Sequence, residues 1–100
     1  MSETAEASPR IRTSAIVTCH NYARYLACCL DSLLAQTLPF HEIIVIDDDS
    51  SDDTPIIAKG YGGKIRYERV AFRNVCLARE HAVNLSTGEF LVMVDADDWI

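Results

Sequence analysis

One hundred residues, 49% hydrophobic and 24% charged, make one globular domain or a piece of one, with enough apolar mass for a core. The net charge of −6 is concentrated in Asp47, Asp48, Asp49, Asp52 and Asp53 and in Asp95, Asp97 and Asp98, and without those eight carboxylates the chain would carry +2. That distribution disfavours nucleic-acid binding through a basic face and points to a divalent metal instead.

The four cysteines, Cys19, Cys28, Cys29 and Cys76, fit neither a CxxC zinc pattern nor a secreted disulfide framework, and read as reduced, small, mostly core residues of a cytosolic protein. Residues 1–12 read as a flexible tail, because Met1–Pro9 is polar and acidic and lacks the apolar stretch of a signal peptide. No apolar run approaches the ~20 residues of a membrane span. A cytoplasmic location is expected, with membrane association left open for a full-length protein.

Thr13–Cys19 is short and β-branched and predicts a first strand. Asn21 is an N-cap candidate for the helix that follows, whose apolar stripe runs through Tyr22, Tyr25, Leu26, Cys29, Leu30, Leu33 and Leu34. Thr37-Leu38-Pro39 ends that helix, since the residue before proline is pushed out of the α region. Glu42–Ile46 predicts a second, buried strand that runs directly into DDDSSDDT. Thr54 is the cap of a short helix with Pro55 in its first turn, and Gly60 stops it. Lys64–Val70 alternates apolar and polar residues, as an edge or half-exposed strand does. Asn74 caps a third helix with Val75, Ala78, Ala82 and Leu85 inward and Gly88 at its end. Phe90–Val94 is an unbroken apolar run, expected to be a strand buried on both faces, with Asp95, Asp97 and Asp98 directly after it.

This β-α-β-α-β-α-β order predicts an α/β fold, Rossmann-like, with a mostly parallel sheet in a three-layer arrangement and right-handed crossovers. Ligands of such sheets bind beyond the carboxyl ends of the strands. Thr18–Asn21, Asp47–Asp53 and Asp95–Asp98 all fall at such ends, so three polar clusters meet at one rim. Two carboxylates about 5 Å apart repel by roughly 3 kcal/mol at an effective dielectric near 20, and a cation relieves that repulsion. A polar turn that merely caps its strand is the plainer alternative for each acidic cluster. A calcium loop starting at Asp47 fails, because its sixth and twelfth places hold Asp52 and Ala58. A receiver domain needs an acidic pair after the first strand, where this chain has Cys19 and His20.

The stretch TCHNYARYLACCLDSLLAQTLPFHEIIVIDDDSSDDT resembles the opening of family 2 glycosyltransferases, inverting enzymes of the GT-A fold. The later LARE and VMVDADDW resemble that family's AR-N element and its DxD motif, in the same order and spacing. The resemblance implies that residues 13–100 are the nucleotide-sugar-binding part of a glycosyltransferase domain. It implies that Asp48 accepts from the ring N–H of a uracil-like base, with Thr18 and His20 flanking that base. A solvent-facing loop histidine is the plainer reading of His20, and a surface helix arginine that of Arg79. Through the resemblance, Arg79 pairs with the diphosphate, Asp95 reaches the ribose, and Asp97, with Asp95 and Asp98, holds Mn2+ or Mg2+. The chain departs from the family where Asp49 and Cys76 replace usual glycines and Glu80 replaces a usual asparagine.

The expected activity is metal-assisted transfer, with inversion, from a nucleotide-diphosphate sugar, a UDP-sugar above others, to an unknown acceptor. No catalytic residue is expected in this chain, because the family's general base lies downstream of Ile100. The isolated chain is therefore expected to be inactive and to self-associate through an exposed sheet edge. A metal-dependent nucleotide-binding module without transfer activity and a receiver-like signalling domain are the alternatives.

Overall fold

The computed structural model describes residues 12–37 and 39–95. Four strands, β1 (Thr13–Cys19), β2 (Glu42–Asp48), β3 (Arg66–Val70) and β4 (Phe90–Asp95), form one sheet in the order β3-β2-β1-β4. All three pairings are parallel. Helices α1 (Ala23–Leu34) and α2 (Thr54–Lys59) join the first three strands, a single 3-10 turn (Gly62–Lys64) leads into β3, and α3 (Val75–Leu85) returns the chain to β4. The result is the three-layer α/β fold expected from the element order.

The two central strands carry the β-branched runs and are buried along almost their whole length. Ala15, Val17, Ile43 and Val45 face α1, whose Leu26, Cys29, Leu30 and Leu33 complete that core. Ile16, Ile44 and Ile46 point the other way, against Ala78 and Ala82 of α3. The period-2 alternation of the strands thus divides one apolar run between two cores. Small alanines let α3 lie close over β1 and β2.

β4 departs from expectation. It lies at the sheet edge beside β1, and of its side chains only Val94 is buried, while Phe90, Leu91 and Met93 are exposed. Among the described residues no helix covers the α3 side of β4, because α3 packs over the isoleucines of β1 and β2. Val75, expected inward, is likewise exposed. Tyr22, Tyr25 and Leu34 flank the buried stripe of α1 and remain exposed. Helix α1 also ends before the Thr37–Pro39 segment, with Ala35 as its C-cap.

Glycine acts here through space more than through conformation. A Cβ on Gly88 would lie 2.8 Å from both Arg12 O and Ser14 N, so the approach to β4 is closed to any side chain. Gly88 N–H donates to Ser14 Oγ, and Ser14 Oγ donates to Glu42 Oε2 at 2.6 Å. Gly60 ends α2 as expected, staying right-handed at φ −63° as the chain continues into the 3-10 turn. At the other end Asp53, not the expected Thr54, holds the N-cap position, and Thr54 is the first helical residue. Among the described residues no helix is long and apolar enough to cross a membrane.

Candidate functional site

The strand order reverses between β1 and β4: the chain builds outward from β1 to β3, then crosses back to the far side of β1. That is where a parallel sheet opens a crevice at its carboxyl ends. The register sets Thr18 of β1 directly beside Asp95 of β4. A cavity of about 500 Å³ lies there, lined by Thr18 and His20 from the end of β1, Asp48 from β2, Arg73 from the loop after β3, and Arg79 and Asp95. The described site residues expected from the sequence all reach this one cavity. Asp97 and Asp98 lie outside the described residues.

The loop after β2 is held by a network that local sequence does not reveal. Asp47 is fully buried and accepts from Tyr67 Oη at 2.6 Å, Arg69 Nη1 at 3.2 Å and Ser50 N–H at 3.0 Å. Burial, reinforced by the Asp47 contact, pushes the Tyr67 phenol up to about 12, so Tyr67 stays a donor at neutral pH. Asp48 accepts from the backbone N–H of Arg73 at 2.7 Å and of Asn74 at 2.9 Å. It thereby fixes the chain immediately ahead of α3, whose first turn Asn74 caps by accepting from Leu77 N–H at 3.1 Å. The Asn74 cap is as expected.

The Asn21 cap is not. Asn21 adopts a left-handed φ of 59° and accepts from Ser51 N–H at 2.7 Å, tying the β1 tip to the β2 loop. The N-terminus of α1 is served instead by Asp52, which accepts from Ala23 N–H at 3.0 Å. The other oxygen of Asp52 takes Thr54 N–H and its hydroxyl, so one carboxylate serves the first turns of α1 and α2. Burial raises the Asp52 carboxyl, but hydrogen bonds from the Thr54 hydroxyl and the Ala23 and Thr54 N–H groups outweigh it and hold it below the usual range. An acidic side chain at two helix N-termini is also favoured by their dipoles.

His20 is exposed, yet its ring is oriented: Nδ1 lies 2.6 Å from Asp48 O. A carbonyl only accepts, so Nδ1 carries the proton, and Asn21 Nδ2 approaches Nε2 at 3.4 Å. At the opposite end Arg79 Nη2 donates to Asp95 Oδ1 at 3.1 Å. Arg79 is thus a lining residue of the cavity already paired across it. Among the described residues no group of three or more His, Cys, Asp or Glu side chains is placed to hold a metal. Among the described residues, Asp95 offers a carboxylate oxygen at that end, a donor type that suits Mg2+ or Mn2+.

Cys19, which lines the cavity, and Cys29 are buried, while Cys28 and Cys76 are exposed and depart from the mostly core placement expected of the four cysteines. Burial, with Asp47 adding to it, pushes the Cys19 thiol up to about 12, and its Sγ donates to Ile46 O. Arg73, Asn74 and Tyr22 also line the cavity and were not identified from the sequence as site residues. Arg73 stands in a segment, AFRN, with no periodicity to single it out. Tyr22 reads locally as part of an apolar stripe.

Asp49, where a glycine is usual, takes the glycine-like φ of 59°. Its carboxylate is matched by two arginines, Arg73 Nε at 2.9 Å and Arg69 Nη2 at 3.4 Å. The departure that puts extra charge in the loop is therefore compensated locally.

Residues 14–100 match the family described as glycosyl transferase family 2. The chain belongs to that family. It is 36% identical over 90 residues to the putative glycosyltransferase EpsH of Bacillus subtilis (strain 168), covering 87% of this chain and 26% of that protein. Among solved structures, TarS 1–349 from S. aureus in complex with UDP-GlcNAc superposes with a TM-score of 0.79 at 32% identity, covering 89% of this chain and 27% of that one. The mannosyltransferase PcManGT from Pyrobaculum calidifontis, in complex with GDP-Man and Mn2+, superposes with a TM-score of 0.80 at 28% identity, covering 92% and 29%. The chain therefore spans about a quarter of the length of these relatives. The fold is the GT-A type of these glycosyltransferase structures, which sets the receiver-like alternative aside.

Proposed function

We propose that this chain binds the nucleoside diphosphate of a sugar donor, UDP above others, and serves sugar transfer with inversion to an acceptor hydroxyl. The observation that carries the reading is the cavity at the strand-order reversal, with Asp48 and His20 at one end and Arg79 with Asp95 at the other. Asp48 takes the ring N–H of the base, and the His20 ring, set by its bond to Asp48 O, flanks the base with Thr18. Arg79 presents a planar cationic fork suited to diphosphate oxygens. Asp95 exchanges its bond to Arg79 for the ribose and, with Asp97 and Asp98, holds a divalent cation. When bound, Mn2+ or Mg2+ supplies Lewis-acid stabilisation of the negative charge that develops on the leaving diphosphate. The UDP-GlcNAc of TarS and the GDP-Man and Mn2+ of PcManGT support this donor class for the present chain.

The test is calorimetric titration of UDP with Mn2+ and in chelator. Manganese is expected to tighten binding, and Asp97→Asn to remove most of that gain. Equal affinity in both conditions defeats the metal assignment.

An inverting transfer also needs a base beside the acceptor hydroxyl. Among the described residues the carboxylates lining the cavity are Asp48 and Asp95, and both already accept hydrogen bonds. This supports reading the chain as the donor-binding part, with the base supplied from another part of the protein. A nucleotide-binding role without transfer remains the second reading, and it rests on the same observation.

The outer edge of β4, with Phe90, Leu91 and Met93 exposed beside it, supports self-association of the isolated chain. Sedimentation is expected to show species heavier than the monomer as concentration rises, with no sugar transfer to any acceptor. A monomer at all concentrations that turns over a nucleotide sugar sinks both expectations.

A further inference from the structure

Arg73 is anchored by two hydrogen bonds and a left-handed backbone. Its backbone N–H donates to Asp48 Oδ1, its φ is left-handed at 51°, and its Nε donates to Asp49 Oδ2 at 2.9 Å. Its side chain is 69% exposed, and the residue lines the cavity beside Asp48. With Nε taken by Asp49, the two terminal nitrogens make no hydrogen bond among the described residues, and their donors remain available. The Arg73 hydrogen bond, strengthened by the charges of Arg73 and Arg69, holds the Asp49 carboxyl below the usual carboxylate range, so the pair is ionised at neutral pH.

We propose that Asp49 is a positioning residue that aims Arg73 into the base end of the cavity, where the Arg73 terminal nitrogens donate to a ring carbonyl and select keto-bearing bases over amino-bearing ones. The inference rests on the nucleotide-binding reading above and extends it to base selectivity. Asp48 is an acceptor and Arg73 a donor, and both line the cavity, joined through the Arg73 backbone N–H. A uracil edge presents the complement, a ring N–H next to a carbonyl oxygen. Cytosine presents the reverse pattern at the same edge, a bare ring nitrogen against the carboxylate and an amino group against the guanidinium. Both contacts then fail together, and a site built for hydrogen bonds rejects a ligand that leaves its polar groups unpaired. The exposed ion pair itself adds little to stability. Its effect is on where the fork points, because fixing Nε leaves the guanidinium plane few orientations.

Asp49→Gly separates this role from a structural one. Glycine accepts a φ of 59° without strain, so the variant is expected to melt no lower than the parent chain, while Arg73 is released. Calorimetric affinities for UDP and CDP, measured on the full chain with Mn2+, are expected to show the UDP preference reduced by about tenfold, the factor carried by one charged hydrogen bond. Arg73→Met should reduce it as much, and the double variant no further. Asp49→Asn, which tolerates the same backbone and keeps an oxygen for Nε, should retain most of the preference. An unchanged UDP-to-CDP ratio in both Asp49→Gly and Arg73→Met overturns the proposal. If that ratio is unchanged while UDP binding remains manganese-dependent, this inference alone fails. If the parent chain binds neither nucleotide, it falls together with the nucleotide-binding reading.

Discussion

Replacing Asp47 with alanine is expected to destabilise the fold by about 3 kcal/mol, the lower end of the range for breaking a buried ion pair. The carboxylate is fully buried, and its removal leaves the Tyr67 hydroxyl and the Ser50 N–H without their acceptor. Arg69 softens the loss, since its side chain is 44% exposed and can turn to solvent. Small domains hold only about 5–15 kcal/mol in total, so such a variant would sit near the edge of folding. Asp47→Asn, which still accepts from one of these donors, should cost less. Urea denaturation reads both, and a loss below about 1 kcal/mol for Asp47→Ala would mean that the buried network does not hold the loop.

Asp48→Ala should act on binding and stability at once. Its two oxygens hold the N–H groups of Arg73 and Asn74, so truncation frees the segment that carries Arg73 and starts α3. A loss of about 2 kcal/mol is expected from hydrogen bonds to a charged acceptor. The binding effect is separable. If Asp48 reads the base, UDP affinity should fall and whatever binding remains should be less selective among bases. A competition series among UDP, CDP and GDP measures this. A weakened variant that keeps the parent's order of preference would reduce Asp48 to a structural anchor for the α3 entrance.

These two neighbours show where local reading stops. Asp47 and Asp48 are consecutive acids at the end of one apolar strand. Strand alternation sends the first toward Tyr67 and Arg69 and the second toward Arg73 and Asn74. The sequence showed an acidic tip on a buried strand. Which acid becomes a buried anchor depends on β3 lying beside β2, a pairing some twenty residues away along the chain. The Asn21 cap failed for a related reason. Asn21 and Asp52 both suit a helix start, but the β1 and β2 tips are adjacent in space, so each side chain serves the other's segment.

What the sequence determined by itself was everything that repeats or is spent locally. Strand and helix periodicity placed β1, β2, α1 and α3, the Asn74 cap lies within its own turn, and the ordered motifs named the family. The rim at the carboxyl ends of the strands followed from the β-α alternation, because parallel strands must deliver their ends to one side. Tertiary structure decided the strand order, and with it the exposure of β4: an apolar run is buried only where layers cover it, and its composition does not say what lies above. It also decided the pairings Arg79–Asp95 and Arg73–Asp49. Hydrogen bonds between side chains far apart in sequence depend on register and on which faces meet, and neither leaves a periodic trace along the chain.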